Sequence, residues 1–456
     1  MHQPERMGAE PIPKLIVTFA LPSITGMLAN ALYNIVDRIF VGRLVGPGAL
    51  AAISICFPFM LFLMALCLLF GVGAAPLMTI ALGEKDSARA ERVMGNATVA
   101  VLAMAVMITT AGHLSIDGLL RISGASEALL PQAREYMRII LWGVPFSVTA
   151  FTLNFCIRAE GRPAFAMGTQ VLGALGNIVL DAVFIGDMRM GIAGAAWGTI
   201  ISQALAALWA GSFYFRRRGV LRFRPANLIP RPALLLRIVS LGLSPCMAEL
   251  SFTLFFILFN HALHACGGDI AVSAMGAFMG WDSLLFLPVI GMGEAVQTIF
   301  AYNWGAHLFG RVLEALKWAL AMASSYFLVS AVTVYFLAER MLLLFTNDAE
   351  LLRIAAAGAR ISYAGVQFVG IALIVTSFFQ GLGRAAICLT LSLARQLVLL
   401  IPAILILPKL FGLTGVWSCF PAVDAGGGLL ALFFLLREYR RMGLKDLDGK
   451  NPDAKI

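Results

Sequence analysis

The chain has 456 residues, of which 60% are hydrophobic and only 13% charged, with a formal net charge of +9. An ordinary soluble domain carries about 25% charged residues, so this composition excludes one, and long apolar runs in place of short alternating ones exclude a β-barrel. The expected fold class is an all-α polytopic membrane protein.

Apolar windows broken by Gly, Pro and charge place twelve spans at about 14–41, 49–80, 92–114, 132–158, 163–186, 190–216, 233–264, 270–303, 312–337, 353–382, 385–407 and 412–437. The first run is too long for a signal peptide and is expected to stay as a span. It carries Asp37, and an ionised carboxylate in hydrocarbon costs several kcal/mol, so membrane acids face a protein interior or a wet cavity. Tyr33, Asn34 and Asn30 stand at i−4, i−3 and i−7 from Asp37 and share its face. The alternative is that Asp37 only caps the helix end or pairs with Arg38, although adjacent residues point about 100° apart.

The fifth span repeats the pattern. Asn177 lies one turn before Asp181, Gly173 and Gln170 continue that face, and Gly permits close helix approach. Both acids fall near the same ends of outward-running helices, and Thr199 on the inward-running sixth span falls near the depth of Asn177. Two acids at one depth take up a proton, or with Asn177 and Thr199 ligate Na⁺; the sequence does not separate the two.

Basic residues gather in alternate loops: Lys85/Arg89/Arg92, Arg158/Arg162, Arg216 to Arg237, Arg311/Lys317, Arg384, and the tail with Arg437, Arg440, Arg441 and Lys445. The positive-inside rule then puts both termini in the cytoplasm. The Arg-rich run at 216–231 has no interleaved aromatic platform and lies between spans, so it reads as a cytoplasmic loop, with contact to anionic lipid as the second reading, and nucleic acid is not an expected partner. The seven cysteines lack CxxC spacing and read as small core residues. The five histidines are scattered and neither HExxH nor GxSxG occurs, so no enzyme and no cofactor is expected. The prolines inside spans (Pro22, Pro58, Pro145, Pro245, Pro288, Pro402, Pro421) read mainly as tolerated kinks.

The halves repeat. GRPAFAM at Gly161 matches GRAAICL at Gly383, GIAGAAW at Gly191 matches GLTGVW at Gly412, Ala20-Leu-Pro22 matches Leu243-Ser-Pro245, and GVG at Gly71 matches GMG at Gly291. Offsets of about 220–223 residues give two six-helix lobes in a parallel repeat. The expected layout is an N-lobe at 1–215, a basic linker at 216–232, a C-lobe at 233–437 and a cytoplasmic tail at 438–456. Asp37 and Asp181 align with Asn260 and Pro402, so the acid pair belongs to the first half alone. Two such lobes are expected to enclose a cleft and to rock about it.

Ile157-Arg-Ala-Glu-Gly-Arg162-Pro, Asn177-Ile-Val-Leu-Asp181, Asp37-Arg-Ile-Phe-Val-Gly42, Gly191 to Trp197, Gln297 to Ala306 and Pro421-Ala-Val-Asp424 together resemble the MATE (multidrug and toxic compound extrusion) family, over nearly the whole chain. The resemblance implies secondary-active, cation-coupled export of amphipathic, often cationic, drug-like compounds across a bacterial-type inner membrane. In the DinF-like branch the coupling carboxylates match Asp37 and Asp181, and positions matching Asn30, Tyr33, Tyr136, Asn154, Asn177 and Thr199 line one cavity. The expected ion-coupling set is therefore Asp37, Asp181, Asn177 and Thr199, with Asp37, Asp181 and Asn177 as ligands if the ion is Na⁺. The expected cavity set is Asn30, Tyr33, Asn34, Tyr136, Asn154 and Gln170, with Glu249 and Glu294 as substrate or gating carboxylates. Asp282 and Asp424 read as structural. Another branch uses a helix-10 acid, but Arg353 to Leu382 contains none. A lipid-linked oligosaccharide flippase of the wider superfamily is the alternative. The expected partners are small-molecule substrates and the lipid bilayer, with the protein acting as a monomer.

Overall fold

The computed structural model describes residues 3–343 and 348–448, so the end of the predicted tail lies outside the described residues. Those residues form helices and turns with no strand among them. The first half comprises α1 (Gln3–Ala9), α2 (Ile12–Phe40), α3 (Pro47–Gly83), α4 (Ser87–Leu114), α5 (Ile116–Ile122), α6 (Leu130–Ala159), α7 (Pro163–Asp181) and α8 (Gly191–Phe215). The second comprises α9 (Pro232–Gly305), α10 (Phe309–Leu342), α11 (Ala349–Ser362), α12 (Val366–Gly381), α13 (Ala385–Leu393) and α14 (Ile401–Asp448).

The 74 residues of α9 would extend about 110 Å at about 1.5 Å each, against a hydrocarbon thickness of about 30 Å, so one crossing is impossible. Gly268 breaks it with φ 66° and ψ −164°, and Gly412 breaks α14 with φ 56° and ψ −136°. Only a residue without Cβ adopts such angles freely. The ten apolar helical stretches among the described residues thus make the twelve predicted crossings. The repeat is also written in the backbone. Left-handed residues recur 222 apart at Gly46 and Gly268, Lys85 and His307, and Gly161 and Gly383, and 221 apart at Gly191 and Gly412.

Packing divides the chain into two units. One is built from Leu21–Leu250 with the residues up to Arg6, the other from Met7–Ala20 and the chain from Ser251 on. The boundaries thus fall inside α2 and α9, close to Pro22 and Pro245, while residues 216–232 lie within the first unit. Helices α1 and α5 were not among the predicted elements, because seven residues are too few for an apolar window. In the second unit the Met7 carbonyl accepts from Asn303 Nδ2 (3.1 Å) and Arg311 Nη2 (3.2 Å), and Arg311 Nη2 also donates to the Glu10 carbonyl (2.6 Å). These bonds satisfy carbonyls that a short helix leaves orphaned.

Candidate ion and substrate site

Within the first unit a cavity of about 370 Å³ opens among α2, α3, α6, α7 and α8. Each helix contributes a stripe at helical spacing: Asn30, Tyr33, Asn34, Asp37 and Arg38 from α2; Ile53, Phe57, Met60 and Met64 from α3; Tyr136, Ile140, Val144, Ser147, Phe151 and Asn154 from α6; Thr169, Gln170 and Gly173 from α7; Thr199, Ser202, Gln203 and Ala206 from α8. Positions three and four apart share a helix face, so five such faces suffice to wall the space. At one side Tyr136 and Ile140 belong to a buried apolar cluster with Val41, Ala52, Ile185 and Ile192. Asn154 is fixed by donating from Nδ2 to the Ala166 carbonyl (2.7 Å), which ties α6 to α7. Asn34 instead donates to its own helix, at the Asn30 carbonyl (2.8 Å). Arg38 stands 5.5 Å from the Phe57 ring centroid, a cation–π distance.

The acid pair sits where two helices change winding. After Phe40 the chain takes a π-helical turn, Val41–Val45, and immediately after Asp181 it takes another, Ala182–Asp187. A π turn holds an extra residue and re-aims its neighbours, and such turns concentrate at functional sites. The Asp37 and Asp181 carboxyl groups are near neighbours, close enough to interact electrostatically. Asp181 is fully buried and presses against Gly198, where a Cβ would lie 2.4 Å from Asp181 Oδ1. Asn177 donates from Nδ2 to Thr199 Oγ1 at a long 3.5 Å. The four predicted ion-coupling residues therefore meet. No protein donor reaches Asp37 Oδ1, either oxygen of Asp181, or Asn177 Oδ1.

Asp37 lines the cavity, whereas Asp181 and Asn177 stand behind the wall. All six predicted cavity residues of the N-lobe are on that wall, and Glu249 and Glu294 are not. Sequence reasoning missed Arg38, Ser147, Thr169, Ser202 and Gln203. The 136, 140, 144, 147, 151, 154 stripe on α6 was the available signal. In the second unit the half-buried Asp282 and the buried Asp424 have donors: Tyr363 Oη donates to Asp282 Oδ1 (2.7 Å), and Arg395 Nη2 to Asp424 Oδ1 (2.8 Å).

A family model described as MatE matches residues 22–183 and again 245–406, two stretches that begin 223 residues apart, in agreement with the internal repeat. The multidrug export protein MepA of Staphylococcus aureus is 28% identical over 433 residues, covering 94% of this chain and 95% of that protein. Among solved structures, a MATE transporter in complex with MaL6 superposes with a TM-score of 0.90 at 25% identity, covering 96% of this chain and 98% of the other. An outward-facing multidrug resistance MATE family transporter of the MOP superfamily gives 0.89 at 25% identity, with coverage of 96% and 98%.

Proposed function

This chain belongs to the MatE family and is a multi-pass membrane transporter for multidrug efflux, and we propose that it couples export to H⁺ or Na⁺ entry through Asp37 and Asp181. The observation that carries this reading is a cluster of four acceptor oxygens, on Asp37, Asp181 and Asn177, that no protein donor serves. Buried polar atoms are nearly always paired, so an acceptor-only cluster calls for a donor or cation from outside the chain. A proton on either carboxyl lets it donate to the other. Na⁺ would take oxygens from Asp37, Asp181, Asn177 and Thr199, a hard-oxygen set that suits it.

Asp37 is the node of coupling because it belongs to both environments: it lines the cavity and lies near the buried acid. An organic cation drawn to Asp37 competes with the coupling ion for one negative charge, so ion uptake favours drug release. The walls suit varied ligands. Phe57, Phe151 and Tyr33 offer flat apolar faces, and Met60 and Met64 adapt their shape. The remainder of the reading is an antiporter of the DinF-like branch, placed in the cytoplasmic membrane with both termini inside and working by alternating access.

The test is dye or drug transport in inverted vesicles under separately imposed pH and Na⁺ gradients. One of the two gradients is expected to drive uptake into the vesicles. Uptake that ignores both gradients sinks the proposal.

A further inference from the structure

The stretch from Arg216 to Arg231 contains six arginines and no acid. It follows one span and precedes another, so it lies at the membrane–water boundary. It is also firmly held. Glu160 Oε2 accepts from the backbone N–H of Val220 (2.8 Å) and Leu221 (3.2 Å), and Gly219 lets it in, since a Cβ there would lie 2.3 Å from that oxygen. Glu91 accepts from the Arg222 backbone N–H (3.1 Å) and Asn227 Nδ2 (3.2 Å), and Asn96 Oδ1 accepts from the Arg231 backbone N–H (2.6 Å). Asn96 Nδ2 closes the set on the carbonyls of Asn227 (3.2 Å) and Ile229 (3.3 Å).

The two carboxylates beneath this strap are thus spent mainly on its backbone. Of the guanidinium groups only Arg224 meets one, with Nε 3.0 Å from Glu91 Oε2, and Arg218 lies 5.5 Å from the Phe165 ring centroid. Arg216, Arg217, Arg222 and Arg231 are exposed, and so are the apolar Phe215 (83%) and Ile229 (65%) beside them. An ordered surface on which these four exposed cations meet no carboxylate among the described residues, next to exposed apolar side chains at a bilayer boundary, matches the chemistry of an anionic lipid: charged headgroup and adjoining acyl chain. We propose that the 216–231 strap is a docking surface for anionic phospholipid headgroups, with Arg216, Arg217, Arg222 and Arg231 as the contacts.

The test uses the full chain in phosphatidylcholine vesicles containing spin-labelled phosphatidylglycerol or spin-labelled phosphatidylcholine, with the motionally restricted fraction read for each. A basic residue near an anionic surface is worth roughly a fivefold change in partitioning, so the wild type should select phosphatidylglycerol at least about fivefold at low salt. Substituting all four (Arg216→Gln, Arg217→Gln, Arg222→Gln, Arg231→Gln) should bring selection close to unity. The matching four Lys substitutions keep the charge and should retain most of it. The proposal is overturned if the wild type shows no selection, if the Gln set keeps it, or if the Lys set loses as much as the Gln set, which would make the effect one of folding.

Discussion

The first unit holds Asp37 and Asp181 without a protein donor for three of their four oxygens, whereas the second gives Asp282 a tyrosine hydroxyl and Asp424 a guanidinium. The acids are alike in type, and each unit has one buried (Asp181, Asp424) and one partly exposed (Asp37, Asp282), but their neighbours differ. A carboxylate whose partner is supplied by the fold has little reason to take one from solution, and removing it leaves a donor stranded. A carboxylate pair with no supplied partner can take a proton or cation from outside the chain, which is the role proposed for it above. Two similar helical bundles thus hold their acids in opposite conditions, and the proposed division of their roles rests on this more than on the number of acids.

The largest expected effect tests the unpaired side. Asp37→Asn should reduce gradient-driven efflux by about 100-fold or more while the protein still inserts and binds substrate, and Asp181→Asn should weaken or abolish it. Wild-type efflux by Asp37→Asn would break the comparison at its root. Next, Gly198→Ala pushes a methyl against Asp181 Oδ1, and efflux should fall by roughly tenfold with folding intact, measured as drug transport alongside thermal melting. On the paired side, Asp424→Asn should leave efflux within about threefold but lower stability by about 1–3 kcal/mol, because Arg395 loses a charged acceptor.

The smallest effect on transport concerns Glu160, just past the end of α6. Its Oε2 is doubly served by backbone N–H groups and its Oε1 by none, an intermediate case. Burial pushes this carboxyl up to about 7, above the ordinary carboxylate range near 4.5. The stabilisation from its raised value is therefore complete below about pH 4.5 and is lost as pH rises through about 7. Melting curves across this range should show the wild type losing up to about 3 kcal/mol relative to Glu160→Gln. A constant difference between the two proteins would contradict the assignment.

Asp37 and Asp181 were legible in the sequence because an acid in a membrane span is costly enough to need a reason, and one-turn spacing then supplied Tyr33, Asn34 and Asn177. Tyr136 and Asn154 came only through the family resemblance. Ser202 was not legible, because a hydroxyl in a helix often bonds back to its own turn, as Ser202 Oγ does to the Thr199 carbonyl (2.8 Å), and so gives no sign of the face it serves. The reversals at Gly268 and Gly412 were visible as breaks in the apolar runs. The anchoring of 216–231 was not, since Glu91 and Asn96 reach it across more than a hundred residues of chain.

That one unit draws Met7–Ala20 together with the chain from Ser251 on bears on how the protein is made. The hydrogen bonds at the Met7 and Glu10 carbonyls bridge 296 to 304 residues. At a synthesis rate of about 5–20 residues per second, roughly 15–60 s pass before Asn303 and Arg311 leave the ribosome. Through that interval the Met7 and Glu10 carbonyls in the lead-in to α2 wait without their native donors, although α2 itself is among the first helices offered to the insertion machinery. Biogenesis is therefore finished from the front end last: the beginning of the chain is among the final pieces to settle.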